Sequence, residues 1–349
     1  MRFMIKIHKT LIRNKDFHTA NISRKGLSEP RRKYIKELNN QIKEGKIEYK
    51  SIPCLCGYED FDLVASVDRY GIIQKTVICK YCGLLQSNPR MSQSAYKNFY
   101  ESDLYRKIYT DTSLEEYTKL KFSNDSGFNS GKEIFDIVLN KLSTNEFKDI
   151  LDFGGGGGWN LAPFKSAGMN VTGIEYSPRL VELGRLYGIN MIQGGFDTLH
   201  RIDESYDLIL LNHVLEHFID PFDKLKRLIN HLTPTGYIYF GLPNIMNFGI
   251  YQLQNAHVYY FNPSNFKYFV ESTGLQMIEF GSTNGNHMYG IFKNAKIIPS
   301  QEDLVKSRKR MYRKIKSFFY RNQIVIAPLK KFGLYHTIRN VKHMLKSGP

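Results

Sequence analysis

Four cysteines lie within 29 residues, and they are all the cysteines of this 349-residue chain. They form two similar turns, Cys54-Leu-Cys56-Gly57 and Cys79-Lys-Tyr-Cys82-Gly83, in which the glycine lets backbone amides approach the sulfurs. Two such turns can supply four thiolates to a tetrahedral zinc ion. Two disulfides or four unrelated free thiols are the alternatives. A reducing cytoplasm argues against disulfides, and the clustering of every cysteine argues against unrelated thiols. We therefore predict a structural zinc bound by Cys54, Cys56, Cys79 and Cys82.

A second chemical feature is the run of five glycines at 154–158, between an apolar segment that carries Asp152 and a helix-like segment. Such a loop turns tightly and directs helix-terminal amides at a ligand. The next strand-like segment ends in Glu175, a carboxylate that can accept hydrogen bonds from both ribose hydroxyls. Dinucleotides use similar loops, but the spacing Asp-x-Gly-x-Gly-x-Gly over 152–158 differs from Gly-x-Gly-x-x-Gly. The pattern favours binding of a nucleoside that has no pyrophosphate. A flexible glycine linker is the less favoured alternative.

Histidines and a carboxylate provide the third feature, in Asn212-His213-Val-Leu-Glu216-His217. In a helical turn, His213, Glu216 and His217 fall on one face. They could bind a divalent metal, or His213 could act as a base. We favour the alternative that Glu216 and His217 only orient the loop beside the cofactor, because such spacings arise easily by chance.

A further candidate segment is His257-Val-Tyr-Tyr-Phe-Asn-Pro263. His257 could be a base or a metal ligand, and Tyr259 or Tyr260 could position a hydroxyl group. A hydrogen-bonded structural histidine is the alternative, and His287 is a weaker candidate of the same kind.

The elements that must position these residues follow from the apolar periodicity. Short apolar runs alternate with helical patterns over some 145 residues, which predicts βαβ units and a parallel, doubly wound α/β sheet. Strands are predicted at 149–153, 170–175, 190–193, 206–211, 236–241, 275–280 and 287–293. Helices are predicted at 30–44, 131–142, 160–167, 178–187, 221–231 and 263–273, and the tyrosine-rich stretch 92–125 is expected to form helices over a cleft.

At 146–293 the sequence resembles the class I S-adenosylmethionine-dependent methyltransferases. The resemblance rests on the motif at 152–158, on Glu175, on Tyr206-Asp207-Leu-Ile and on Gly194-Gly195-Phe196-Asp197. It implies a seven-stranded Rossmann-like sheet and S-adenosylmethionine as the methyl donor. The residues that it assigns to cofactor binding are Asp152, Gly154, Gly156, Gly158, Glu175, Gly195, Phe196 and Asn212.

The cysteine module resembles one in a methyltransferase subgroup that modifies sugars and surface polysaccharides, through Asp68-Arg-Tyr-Gly71 and the ending Asn88-Pro-Arg90. The segment 213–217 is similar to the Glu-x-x-Glu-His of metal-dependent ubiquinone-pathway and small-RNA 3′-end methyltransferases, with His213 in place of the first Glu. The segment 257–263 is similar to the His-x-x-x-Phe-(Thr/Asn)-Pro that faces the family's substrate cleft. These resemblances imply catalytic roles for His213, His257 and Tyr259.

Charge is distributed unevenly along the chain, whose net charge is +16. Residues 1–50 carry +9 and residues 293–349 carry +13, whereas residues 51–292 carry −6. Basic segments beside apolar ones suit an anionic membrane surface or RNA phosphates, and a solvated surface without a partner is the alternative. We expect peripheral contact with the inner face of the membrane.

The predicted organisation is a basic arm (1–48), a zinc ribbon (49–91), a helical cap (92–145), a methyltransferase domain (146–293) and a basic amphipathic tail (294–349), with both basic arms helical. No secretory signal is recognisable and no apolar run could span a membrane, so a cytoplasmic location is expected. The predicted function is methyl transfer to a sugar or glycan precursor, with O-methylation favoured over C-methylation. An RNA methyltransferase and a non-catalytic binding protein are the alternatives.

Overall fold

The computed structural model describes residues 5–12, 17–20, 27–102, 104–109, 111–123, 130–142, 147–248, 253–283, 287–295 and 312–317. Within these ranges, no helix is both long enough and apolar enough to cross a membrane.

A seven-stranded sheet forms the centre of the second half of the chain. Its strands are β7 (Asp149–Phe153), β8 (Asn170–Glu175), β9 (Asn190–Gln193), β10 (Tyr206–Asn212), β11 (Leu232–Pro243), β13 (Leu275–Ser282) and β14 (His287–Asn294), in the order β13-β14-β11-β10-β7-β8-β9. The buried strands are nearly continuous apolar runs, as expected where helices cover both faces of a parallel sheet. The predicted strands are confirmed, and three of them have the predicted bounds.

The α-helices in this half of the described chain are α5 (Ser130–Lys141), α6 (Ala162–Ser166), α7 (Pro178–Leu186), α8 (Pro221–Ile229), α9 (Ile245–Phe248) and α10 (Pro263–Glu271). Five of these six helices were predicted, and α9 was not. Proline occupies the first turn of α6, α7, α8 and α10, where its missing N–H has no helical partner to lose. Side chains at the preceding position cap α7, α8 and α10 by accepting backbone N–H groups, and these are Ser177, Asp220 and Asn262.

One feature of the predicted sheet is wrong: it is not wholly parallel. β14 runs antiparallel to both β11 and β13. Only residues 283–286 separate β13 from β14, which is too short for the crossover that a parallel neighbour needs.

A second sheet has the strand order β1-β3-β4-β5-β12 and includes the cysteine region. Its strands are β1 (Lys6–Thr10), β3 (Asp60–Val67), β4 (Ile73–Cys79), β5 (Leu85–Ser87) and β12 (Tyr259–Tyr260), while β2 (Tyr49–Lys50) pairs separately with β6 (Arg90–Met91). The last member of this second sheet comes from a distant part of the chain, because β12 pairs with β5 through Tyr259–Gln86 and Tyr260–Leu85. The second sheet therefore connects the cysteine region to the residues around His257.

The basic arms were predicted to be helical, and this is only partly correct. Helix α1 (Glu29–Lys43) packs through Ile35 and Leu38, but residues 6–10 form the exposed edge strand β1. Lysines are tolerated there because an edge strand has one side in solvent. In the C-terminal arm, residues 312–317 are helical; Ile315 is buried and the Tyr312 hydroxyl donates to Asp62 Oδ2 at 2.5 Å. The remaining basic and apolar residues that motivated the tail prediction, at 306–310 and 318–329, lie outside the described residues.

Candidate active site

The glycine loop follows β7 and turns through left-handed backbone conformations at Gly154, Gly156 and Gly158, with φ of 75°, 60° and 79°. Side chains other than glycine rarely adopt these angles. The loop is also tightly enclosed, since a Cβ atom on Gly156 would lie 2.3 Å from the Trp159 ring. This compact backbone surface fits a ligand that lies directly against main-chain amides.

Two predicted cofactor residues lie beside this loop. Glu175 ends β8, and its carboxylate accepts the Gly156 N–H at 3.2 Å and the Ser177 N–H at 2.9 Å. Asp152 is fully buried; its Oδ2 accepts from Asn160 at 3.1 Å, while Oδ1 has no hydrogen-bond partner in the described chain. Burial raises the pKa of Asp152 to about 7, and burial also raises the pKa of Glu175. The unsatisfied Asp152 oxygen and the enclosed loop fit a polar, nucleoside-like ligand.

The predicted adenine-side residues lie at the end of the next strand. Phe196 is buried, and its ring packs 4.4 Å from that of Phe153. A Cβ atom on Gly195 would lie 2.2 Å from the Tyr176 ring, so Tyr176 lies over this segment. On the other side of β7, the Asn212 amide lies against Gly241. The structure thus places every predicted cofactor residue at the carboxyl edge of the sheet.

The tyrosine-rich stretch forms the short helices α2 (Gln93–Glu101), α3 (Leu104–Tyr109) and α4 (Leu114–Phe122). Helix α4 lies over the glycine loop, where Tyr117 packs edge-on against Trp159 at 5.6 Å. On α3, burial and the Glu175, Tyr117 and Glu216 groups raise the pKa of Tyr105 to about 12. The Tyr105 ring packs 4.9 Å from that of Tyr100, whose hydroxyl lies 3.1 Å from His217 Nδ1, and the sequence did not reveal these contacts.

The histidine cluster consists of His213, Glu216, His217, His257 and His287. Glu216 is 2% exposed; its Oε1 lies 3.3 Å from His213 Nδ1 and 3.8 Å from His257 Nε2, and its Oε2 has no partner among the described residues. Ligand atoms of Glu216, His217 and His257 lie within 4.8 Å of one another. The ring of His287 lies 4.6 Å from that of His213. The structure thus brings together two sequence segments that were predicted separately.

Burial disfavours the charged form of Glu216, but the His213 hydrogen bond and the neighbouring histidines outweigh it and lower its pKa to about 2. Burial also lowers the pKa of His217, and it lowers the pKa of His257 well below the ordinary value. An ionised carboxylate beside neutral imidazoles is the protonation state in which such groups bind metals or accept protons.

His213 has the accessibility that a base needs. Its side chain is 42% exposed, and its backbone adopts a left-handed φ of 59°, which directs the chain sharply away from the end of β10. A positive φ in a residue other than glycine is uncommon and is characteristic of functional sites.

Tyr259 was predicted to position the acceptor, but the structure does not bring its hydroxyl into the histidine cluster. It is 1% exposed, accepts from Arg90 Nη1 at 2.9 Å and donates to the Ile219 carbonyl at 3.3 Å. These contacts connect β12 to the cysteine module, and a catalytic role for Tyr259 stays a prediction.

The four cysteines converge as predicted, with Sγ atoms within 4.8 Å of one another. Cys54 and Cys82 are separated by 3.5 Å and Cys56 and Cys79 by 3.7 Å, so neither pair is a disulfide. Sulfurs at the corners of a tetrahedron around zinc, about 2.3 Å from the metal, are separated by about 3.8 Å. The cluster therefore fits a zinc ion.

Residues 129–279 match the family model described as a methyltransferase domain. With the strand order and the glycine loop, this match decides the fold. The seven-stranded sheet has the class I S-adenosylmethionine-dependent methyltransferase fold. Over these residues the domain match agrees with the methyltransferase domain predicted from the sequence.

Similar proteins include the ubiquinone biosynthesis O-methyltransferase of Rickettsia typhi, which is 33% identical over 104 residues, or 28% of this chain and 42% of that protein. The corresponding protein of Rickettsia canadensis is 26% identical over 169 residues, or 41% of this chain and 71% of that protein. The chain covers less than half the length of the first such relatives. Among solved structures, a Burkholderia thailandensis 1,6-didemethyltoxoflavin-N1-methyltransferase with bound S-adenosylhomocysteine has a TM-score of 0.44 and 15% identity, covering 64% of this chain and 96% of that one.

Proposed function

We propose that this protein transfers a methyl group from S-adenosylmethionine to a hydroxyl group of a sugar or glycan precursor. The observation that supports methyl transfer most directly is the position of the His213–Glu216 pair beside the glycine-loop site, on the same edge of one sheet. The domain match and the O-methyltransferase names of the relatives support the same reaction class.

The cofactor, when bound, supplies a methyl group on a positively charged sulfur, which a nucleophile can displace in line. In this chain, the glycine loop would contact the nucleoside through backbone amides, and Glu175 would accept from the ribose hydroxyls. Phe196 would pack against the base, and Asp152 and Asn212 would bind polar groups of the cofactor.

The role of a base fits His213 best. With Nδ1–H donating to Glu216, its Nε2 is left to accept the proton of the acceptor hydroxyl. When bound, the cofactor would supply the methyl carbon and its sulfur would keep the electron pair of the broken carbon–sulfur bond, while His213 would take up the hydroxyl proton. The Glu216 carboxylate would stabilise the resulting imidazolium.

Three tyrosines of α2 and α3 pack together next to the histidine cluster. Tyr100, Tyr105 and Tyr109 pack against one another with ring centroids 4.9 Å apart in each successive pair. An aromatic face offered to the acceptor from this cluster would suit an apolar ring face, whether of a sugar or of a planar ring. An acceptor related to that of the ubiquinone-biosynthesis relatives is therefore the second candidate, favoured by their names. The net charge of −6 over residues 51–292 argues against RNA.

We also propose two metal sites. The sulfur separations support a structural zinc at the four cysteines. The convergence of Glu216, His217 and His257 supports a second site for a divalent ion, and one Glu216 oxygen has no partner among the described residues. From the sequence we favoured a role for Glu216 and His217 in orienting the loop only. The geometry does not require His213 as a ligand of this ion, which leaves it available as the base.

For the basic arms we propose peripheral contact with an anionic membrane from the cytoplasmic side. Lys6 and Lys9 on β1 are exposed, and Arg313 and Lys314 are exposed on the helix at 312–317. Sedimentation with vesicles of anionic lipid, compared with neutral vesicles and with short RNA as competitor, tests this assignment. Equal sedimentation with both kinds of vesicle would contradict it.

Calorimetry with S-adenosylhomocysteine tests the proposed function before the acceptor is known. We expect binding to the full chain and a loss of at least 100-fold in Glu175→Ala, since ribose hydrogen bonds to a buried carboxylate are lost. Glu182→Ala, an exposed acid on α7 that pairs with Arg179, is the matched control and should bind normally. Absence of binding to the unaltered chain would contradict the proposal.

A further inference from the structure

The turn between β3 and β4, Asp68-Arg69-Tyr70-Gly71, contacts residues 253–255, far along the chain. The Arg69 N–H donates to the Leu253 carbonyl at 2.8 Å, and Asp68 Oδ2 accepts the Asn255 N–H at 3.0 Å. The other oxygen of Asp68 closes its own turn by accepting the N–H groups of Tyr70 and Ile72, at 2.8 and 2.9 Å. This turn of the cysteine module therefore holds the backbone that leads to His257.

A side-chain relay continues from this backbone contact. Arg69 Nη2 donates to Gln254 Oε1 at 3.1 Å. Because a guanidinium group only donates, Gln254 must present its oxygen to Arg69 and its NH2 group to the other side. On that side, the Gln254 amide nitrogen contacts His257 Nε2 in a short hydrogen bond. Since this NH2 group also only donates, Nε2 must accept, and the ring proton of neutral His257 must lie on Nδ1.

The Glu216 carboxylate favours the other tautomer of His257, with the proton on Nε2. Its Oε1 lies 3.8 Å from the same His257 Nε2 and would be better served by a proton on that nitrogen. His257 Nδ1 does not settle the choice, because it has no hydrogen-bond partner among the described residues. The relay from Arg69 is thus the interaction that keeps the ring proton on Nδ1, although the Glu216 carboxylate lies 3.8 Å from Nε2.

We propose that Arg69 is a positioning residue of the active site, which fixes the tautomer and orientation of His257 through Gln254. In this tautomer the Nε2 lone pair accepts from Gln254, and a cation beside Glu216 could bind Nε2 only by displacing the Gln254 amide. The cysteine module also holds the backbone at His257 and Val258. The Ser87 hydroxyl donates to the His257 carbonyl at 2.9 Å, and the Ser87 N–H donates to the Val258 carbonyl at 3.0 Å. This inference rests on the proposed function only in treating His257 as part of the reaction centre.

Nuclear magnetic resonance of the full chain, with ¹⁵N-labelled histidine and one equivalent of zinc, reports the tautomer directly. Long-range ¹H–¹⁵N correlations distinguish a protonated from an unprotonated ring nitrogen, and the spectrum of His257→Asn assigns the signals. We expect the Nδ1–H form in the unaltered chain and loss of that form in favour of Nε2–H in Arg69→Met. Arg69→Lys, which keeps a donor for Gln254, should restore the Nδ1–H form at least in part. Lys75→Met, an exposed change in the same module, should leave the spectrum unchanged.

Gln254→Glu provides a second route if Arg69→Met does not fold. It replaces the donating NH2 group by an accepting oxygen, and so requires Nε2–H. An Nε2–H form in the unaltered chain, or an Nδ1–H form that persists in folded Arg69→Met or Gln254→Glu, would overturn the inference. S-adenosylhomocysteine affinity, measured on the same samples, should be unchanged by these substitutions. If the unaltered chain binds no cofactor but shows the expected tautomers, the proposed function fails and the inference stands.

Discussion

The cofactor half and the histidine half of the candidate site lie on one sheet edge but are built differently. The cofactor half, defined as residues 150–177, is a single strand–loop–helix–strand unit in which Glu175 accepts from Gly156 and Ser177 nearby in sequence. The histidine half, defined as residues 213–217 and 253–261, joins two distant segments and is supported by a third, the cysteine module. Local interactions suffice for the first half, whereas the second depends on contacts between parts of the chain more than 100 residues apart.

This difference has a consequence for stability and function. The cofactor half contains its own tight turns and a parallel strand pair, β7–β8. The histidine half relies on β12, which is only two residues long and pairs with β5 of the cysteine module. A change in the cysteine module is therefore expected to loosen His257 while leaving the glycine loop in place.

Removal of one zinc ligand is the largest expected perturbation. Cys79→Ser should lower the zinc content below one per chain and lower the unfolding free energy by about 4 kcal/mol or more, because a buried metal site is lost. In the folded fraction, hydrogen exchange should increase at 253–261 more than at 150–177. Lys75→Met is the control and should affect neither segment. Equal increases in both halves would contradict the separation between them.

The pH dependence of stability tests the cofactor half alone. Burial raises the pKa of Asp152 to about 7, so between about pH 4 and 7 the folded chain binds more protons at this group than the unfolded chain. The folded chain pays a free-energy cost for ionising the buried Asp152. This cost is absent below about pH 4 and complete above about pH 7, so the contribution of Asp152 to stability falls as pH rises. Asp152→Asn should remove this slope and stabilise the chain at pH 8 by up to about 4 kcal/mol. Urea unfolding at pH 5 and pH 8 measures the free energy of unfolding of both chains. If Asp152→Asn differs from the unaltered chain by the same free energy at both pH values, the prediction is contradicted.

The cofactor half could be predicted from sequence because its signals are local. The strands at 149–153 and 170–175 have the predicted bounds, and the helix starts coincide with prolines and capping side chains. Asp152 and Glu175 were assigned from their places before and after the loop, and the structure brings both beside it.

The histidine half could be predicted only in its parts. His213, Glu216 and His257 were singled out, but no periodicity relates them to Arg69, Gln254 or Tyr100. Tyr100, for example, donates to the Ala256 carbonyl at 3.2 Å and lies 3.1 Å from His217 Nδ1. Such pairs are produced by the packing of β12 against the cysteine module. Edge strand β1 was missed for a related reason, since its five exposed residues show no alternation between apolar and polar positions.

The smallest of these effects comes from a single methyl group in the glycine loop. Gly156→Ala should cost about 1–3 kcal/mol of stability, because alanine is strained at a φ of 60°. It should also weaken S-adenosylhomocysteine binding, because the new Cβ would displace the Trp159 ring, 2.3 Å away, or the loop itself.

Gly168→Ala separates these two causes. Its φ of 86° imposes similar backbone strain, but nothing lies within 4 Å of the added Cβ, and it is remote from the loop. We therefore expect a comparable loss of thermal stability with unchanged affinity for S-adenosylhomocysteine. The histidine half, monitored through the His257 tautomer, should be unaffected by either substitution. A change of tautomer in Gly156→Ala would show that the two halves are coupled through the loop and that the division between them is incomplete.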